Sequence, residues 1–134
     1  MKILLIDDSR MLRLVHEKAL VKAGYDVISA RDGEEGLRIA RECEPDLILL
    51  DVMLPKIAGQ DVLRTLKRDS RTRHIPVVVM SGLSRANAAR LIDQGAVEFV
   101  EKTDDFLENN SQGLVKTVEI VLAKTSQLKE IGWH

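Results

Sequence analysis

Five polar residues stand at or just beyond the ends of short apolar runs: Asp7 and Asp8 after "KILLI", Asp51 closing "DLILLD", Ser81 after "IPVVVM", and Lys102 shortly after "AVEFV". The sharpest case is "LILLDVMLP" (47–55), in which consecutive aliphatic side chains run into an aspartate and a proline closes the segment. Such a run predicts a strand buried on both faces. If the three acids meet, the chemistry follows from crowding. Two carboxylates about 4 Å apart repel by roughly 4 kcal/mol at an effective dielectric of about 20. A cation, or protonation of one acid, must then offset the repulsion. An all-oxygen set with open positions suits a hard ion, and Mg2+ in particular keeps waters and accepts phosphate oxygens. An aspartate beside Mg2+ is a competent nucleophile toward phosphorus. Ser81 and Lys102 would supply a hydroxyl and a point positive charge for the added phosphoryl oxygens. These groups fit phosphoryl transfer onto Asp51.

The elements that must position them are five apolar runs, at 2–6, 25–30, 46–51, 75–80 and 96–100, alternating with helical spacing. Leu12, Val15, Ala19, Leu20 and Ala23 form one apolar stripe, and Leu37, Ala40 and Cys43 a second. Val62, Leu63 and Leu66 form a third, Ala88, Leu91 and Ile92 a fourth, and Leu114, Val118, Val121, Leu122 and Thr125 the last and longest. Gly24 and Gly95 follow helices where a left-handed C-cap is wanted, and Asp32 with Glu35 has capping-box spacing. Pro45 and Pro76 sit before or at the start of strands, where a missing N–H is tolerated. Strict β-α alternation implies an α/β fold, a parallel sheet covered by helices on both sides. In open sheets of this kind ligands bind beyond the carboxyl ends of the strands. In a flavodoxin-like order, 2-1-3-4-5, strands 1, 3, 4 and 5 are contiguous, so the three acids, the hydroxyl and the ammonium would share one patch.

Length and composition bound the rest. With 134 residues, 45% hydrophobic and 31% charged, the chain is expected to be one globular domain. Only 3% is aromatic, so the core must be aliphatic. A net charge of −1 gives no bulk pull toward nucleic acid or membrane, and no apolar run approaches the roughly 20 residues of a membrane span. A lone Cys43 cannot form an internal disulfide and fits a reducing compartment. "MKILLIDDSR" is expected to be a mature cytoplasmic N-terminus, since two aspartates end its apolar run.

The stretches "ILLIDDS", "PDLILLDVMLPKIAGQDVL", "PVVVMSG" and "FVEK" resemble the receiver domain of two-component response regulators, the family that includes the chemotaxis regulator. The resemblance covers about residues 2 to 124 and supplies the doubly wound, five-stranded flavodoxin-like order. It implies that Asp51 is the phosphoacceptor and that Asp8 and Asp51 bind Mg2+ directly. The backbone carbonyl of Met53 would complete the protein ligands, with Asp7 acting mostly through water. Ser81 would bond a phosphoryl oxygen and Lys102 would pair with its charge, while Phe99 occupies the aromatic switch position. The phosphodonor would be a phosphohistidine on a sensor histidine kinase or a histidine phosphotransfer protein, and the receiver of the signal an output protein or domain that the sequence does not identify. On this basis 1–125 is the receiver domain, 126–134 an extension of the last helix or a tail, and the chain a signalling domain rather than a conventional enzyme. A homodimer through helix 4, strand 5 and helix 5 is compatible with the family, with no residue pattern that singles it out.

The sequence departs from the family pattern in two places. Thr103 stands where a proline usually follows the lysine in a cis bond, and "TDDFLENNSQG" is a longer, more polar approach to the last helix. A cis non-proline bond costs about 3 kcal/mol, so a trans bond is expected. Met53 and Leu83, which in this family flank the path of an attacking water, are apolar here. They predict an aspartyl phosphate that hydrolyses slowly for its class. Other functions fit less well. A haloacid-dehalogenase-like phosphatase needs a second acid where Met53 stands, and a nucleotide or flavin binder needs a glycine-rich or Ser/Thr-rich loop where "DDSRML" is acidic. A pseudo-receiver binding partners constitutively is the remaining alternative, and intact Asp8, Asp51, Ser81 and Lys102 argue against it.

Taken singly, the residues have plainer uses. Asp7 and Asp8 are candidate caps of the first helix, with Ser9 as the alternative. Lys102 would be a surface lysine, Ser81 a loop serine and Phe99 plain core. His16 and His74 lack partners at ligand spacing and are expected to be solvated, and Asp32 and Asp61 are read as a cap and a surface acid. The acidic stretch 98 to 108 is expected to be a solvated turn.

Overall fold

The computed structural model describes residues 1–51, 59–81, 90–101 and 112–130, apart from the side chains of Ser81, Glu101 and 126–130. Its elements alternate as the spacing predicts: β1 (Lys2–Ile6), α1 (Arg10–Lys22), β2 (Asp26–Ala30), α2 (Gly33–Cys43), β3 (Leu47–Asp51), α3 (Gly59–Arg68), β4 (Val77–Ser81) and β5 (Glu98–Glu101). Residues 90–93 are helical (α4), and α5 (Gln112–Glu130) closes the described chain. The strands pair in parallel in the order β2-β1-β3-β4-β5. The central strand β3 is buried along its whole length, as its aliphatic run requires, whereas the edge strand β2 is mostly half-exposed. The stretch from 98 does not begin as a solvated turn. Glu98–Glu101 pairs with β4, because Phe99 and Val100 both find core to pack against.

Alternation along the strands splits the core into two layers. Leu4, Ile6, Ile48, Leu50, Val77 and Val79 face α2, α3 and Leu91 of α4. Ile3, Leu5, Leu47, Leu49, Val78 and Met80 face Leu20 of α1 and Leu114, Val118, Val121 and Leu122 of α5. Each layer is dry and aliphatic, and each CH2 buried there stabilises by about 0.8 kcal/mol.

Local chemistry sets the helix ends. Ser9, not Asp7 or Asp8, is the N-cap of α1: its side chain accepts from the backbone N–H of Leu12. Asp32 caps α2 by accepting from the N–H of Glu35 at 2.9 Å. Gly24 and Gly95 adopt φ of 101° and 116°, as the left-handed caps require. Glu44 ends α2 in the same region, at φ 46°, without a glycine.

Gly36 has a different task. A Cβ on it would lie 2.5 Å from Cδ1 of Ile6, the last residue of β1. The missing side chain is what lets α2 seat against the strand that carries Asp7. Overpacking a core costs about 1–3 kcal/mol, only partly offset by the helix preference for alanine of about 1 kcal/mol. Gly36→Ala is therefore expected to melt a few degrees below wild type, and an unchanged melting temperature would count against this packing.

The turn from α3 into β4 fixes where Ser81 arrives. Thr72 donates from its buried hydroxyl to the carbonyl of Leu66, and the Lys67 ammonium donates to the carbonyls of Arg73 and Ile75. Asp69 accepts from the backbone and guanidinium of Arg71 and from Nε of Arg41 on α2. The Arg71 guanidinium, first of these, holds the Asp69 carboxyl well below the usual carboxylate range. The unfolded chain therefore takes up this proton more readily than the folded one. The stabilisation is present above the ordinary carboxylate pKa and is lost as pH falls below it. In urea unfolding, the difference between wild type and Asp69→Asn is expected to be constant between about pH 5 and 7 and to shrink below about pH 4. A difference that persists undiminished in acid would refute the assignment.

Candidate functional site

Register builds the site. Ile6 pairs with Leu50 across β1 and β3, so Asp7, the next residue, comes level with Asp51. Asp51 in turn pairs with Met80 across β4, one residue before Ser81, the last residue of that strand. Asp7 continues the alternation of Ile3 and Leu5, and Asp51 that of Leu47 and Leu49, so both carboxylates take the α1 and α5 parity. Carboxylate oxygens of Asp7, Asp8 and Asp51 lie within 4.8 Å of one another. Asp7 is fully buried and Asp51 is 1% exposed, whereas Asp8 faces solvent. The cluster thus has two acids set into the protein and one on the open side, a donor set of hard oxygens reachable from solvent. It suits a divalent cation of the Mg2+ type, which binds through one or two carboxylates and keeps several waters.

Asp7 is held from several sides. Its Oδ1 accepts from the N–H of Ser9 at 2.9 Å, and its backbone N–H donates to the carbonyl of Ala30 at 3.1 Å. Its own carbonyl accepts from Nη1 of Arg13 at 3.0 Å. On the helix side, Nδ1 of His16 faces Oδ2 of Asp7 at 4.0 Å, and both side chains are fully buried. This corrects the sequence expectation that His16 is solvated; His74 is exposed as expected. The signal was there in the spacing. His16 lies four residues after Leu12 and four before Leu20, on the ridge of α1 that meets the sheet, and only its polar type sets it apart from the apolar stripe.

The other expected site residues stand as follows. Ser81 ends β4 and pairs with Glu101, the last residue of β5. Lys102, which follows directly in the sequence, lies outside the described residues, as do Met53, Leu83 and Thr103. Phe99 is half-buried and packs on the core layer under α2 and α3. Among the described residues, then, the fold brings the three acids together and ends β4 beside them, in keeping with the opening pattern of the sequence.

The model of the response regulator receiver domain family matches residues 3–110. The chain belongs to that family. The receiver domain is 35% identical over 134 residues to the DNA-binding dual master transcriptional regulator RpaA of Synechocystis sp., covering 99% of this chain and 54% of that protein. It is 34% identical over 96 residues to the polar-differentiation response regulator DivK of Brucella anthropi, covering 72% of this chain and 78% of DivK. It therefore spans about half the length of one curated relative and most of the other. Among solved structures, the signal receiver domain of a putative LuxO repressor protein from Vibrio parahaemolyticus superposes with a TM-score of 0.86 at 25% identity, covering 99% of this chain and 98% of that one. A CheY-like receiver domain protein from Methanospirillum hungatei superposes at 0.83 with 22% identity, over 94% of this chain and 96% of that one, a likeness of fold. The receiver domain is thus a two-component signalling module with the flavodoxin-like fold. Domains of this family generally bind Mg2+ at an acidic pocket, and the group formed by Asp7, Asp8 and Asp51 is present here. Among the described residues no helix is long and apolar enough to cross a membrane.

Proposed function

We propose that this receiver domain accepts a phosphoryl group on Asp51 and uses it to switch partner binding. The observation that carries this is the convergence of three carboxylates, two of them buried, at the ends of adjacent strands β1 and β3. Residues 1–125 would form the working unit, since Leu114, Val118, Val121 and Leu122 of α5 complete its core, and 126–134 would extend the last helix or form a tail.

Asp8, Asp51 and the backbone carbonyl of Met53 would hold Mg2+, with Asp7 acting through water. The ion, when bound, screens the acids from one another and polarises the incoming phosphoryl oxygens. The chain's own residues do the rest. A carboxylate oxygen of Asp51 attacks phosphorus on a phosphohistidine of a sensor kinase or phosphotransfer protein. The P–N bond breaks, the histidine nitrogen leaves with its electron pair, and an aspartyl phosphate forms. Ser81 and Lys102 then donate to the new oxygens, and Phe99 follows the hydroxyl residue inward as the switch. Burial of Asp51 at the end of β3 keeps bulk water away from the reacting oxygen and fixes its direction of approach.

A cytoplasmic module fits this chemistry, with its signal passed to an output protein or domain. Val97 beside β5 and Ile120 of α5 are exposed at 49% and 46% and line one shallow surface hollow, which supports a homodimer contact through α4, β5 and α5. Incubation with acetyl phosphate and Mg2+, followed by intact mass, tests the proposal. One added phosphoryl group is expected in wild type, and none after Asp51→Asn or in EDTA. A wild-type mass that does not change, or an adduct that survives Asp51→Asn, would refute it.

A further inference from the structure

We infer that His16 is a positioning residue for Asp7, and that it thereby sets the affinity of the acidic cluster for Mg2+; this rests on the metal-dependent function proposed above. Three observations carry it. The imidazole is completely buried on α1, in register with Leu12 and Leu20, a position where a leucine would complete the ridge at no polar cost. Its Nδ1 faces Oδ2 of Asp7 at 4.0 Å, on the side of the carboxylate away from the Ser9 N–H that holds Oδ1. Asp7 in turn lies within 4.8 Å of Asp8 and Asp51 at the level of its oxygens, so its orientation is part of the cluster's shape.

At 4.0 Å the two atoms stand just beyond hydrogen-bond distance, and a shift of about 1 Å brings them within it. The two ends of the Asp7 carboxylate are therefore held differently. The Ser9 amide is part of the N-terminal turn of α1, while the imidazole is anchored a full two turns into that helix. Both bear on the orientation in which Asp7 meets the other two acids. A ligating or water-bridging carboxylate loses affinity when the group that orients it is removed, commonly by about 10- to 100-fold for a metal ion. That effect needs no change of charge on the imidazole. It needs only a polar atom at that place, on a rigid element.

Isothermal titration with Mg2+ at one fixed pH tests this on wild type, His16→Leu and His16→Gln, with melting curves in EDTA to establish that each variant is folded. His16→Leu is expected to bind Mg2+ about 10-fold or more weakly. His16→Gln, which keeps a side-chain N–H, is expected to recover most of the loss. In an Asp7→Asn background, His16→Leu is expected to change the affinity no further, because its effect runs through Asp7. Wild-type affinity in His16→Leu would overturn the inference while leaving the proposed function intact. Equal weakening in the leucine and glutamine variants, or full additivity with Asp7→Asn, would overturn it too, since either would reduce His16 to packing. A wild-type chain that takes up no Mg2+ would overturn the metal-dependent function and this inference with it.

Discussion

In EDTA, Asp51→Asn is expected to melt above wild type and, unlike wild type, to gain little from added Mg2+. The physical basis is the distance between the acids. Charges within 4.8 Å of one another, two of them on buried side chains, repel by about 3 kcal/mol per pair at an effective dielectric of about 20. Asparagine keeps the shape of the side chain and removes one of the three charges. Part of the repulsion is already relaxed by solvent at Asp8 and by the Ser9 amide at Asp7. The expected gain is therefore about 1–3 kcal/mol, a rise of several degrees for a chain of this size. Wild type is expected to recover that difference on titration with Mg2+, because a ligand bound only by the folded state stabilises by mass action. The pattern is diagnostic: the variant wins without metal and loses its advantage with it. An Asp51→Asn chain that melts at or below wild type in EDTA would mean that the acids are not in conflict, and the case for a cation would lose its main support.

The second large effect concerns the lifetime of the phosphorylated state. Met53→Asn combined with Leu83→Glu is expected to speed loss of the phosphoryl group by about tenfold or more. Two residues after Asp51 and two after Ser81, the wild-type side chains are a thioether and an isobutyl group. Neither side-chain type can orient a water by a strong hydrogen bond, so on the proposed function attack on phosphorus would depend on chance approach. Amide and carboxylate groups at the same positions would hold and align that water. Decay of the phosphorylated mass after removal of the phosphodonor reads the rate directly. Equal half-lives for wild type and the double variant would show that these two positions do not gate the water.

Much of the site was legible because its residues are punctuation. Asp7, Asp51 and Ser81 stand where aliphatic runs stop, and in a parallel sheet all such stops fall at its carboxyl end. The ends of β4 and β5 were less legible. Both strands begin two residues later and finish one residue later than their apolar runs suggest, since Pro76 cannot donate to a neighbouring strand and Ala96 closes the turn after α4 with its N–H on Leu91. That shift makes Ser81 part of the strand rather than the first residue after it. His16 was missed for a different reason. A polar type suggests solvent, and only the packing of α1 on the sheet reveals that a histidine between Leu12 and Leu20 has no route to it.

By itself the sequence determined the element types, their alternation and the identity of the groups at the strand ends, because these depend on local periodicity and on where apolar runs break. Only the tertiary structure decided the register of Ile6 against Leu50, and with it that Asp7 and Asp51 stand level with Asp8 beside them. It alone decided that His16 lies sealed behind that cluster. Pairing of β1 with β3 joins residues more than forty positions apart, and no local pattern encodes which of them will meet at a few ångströms.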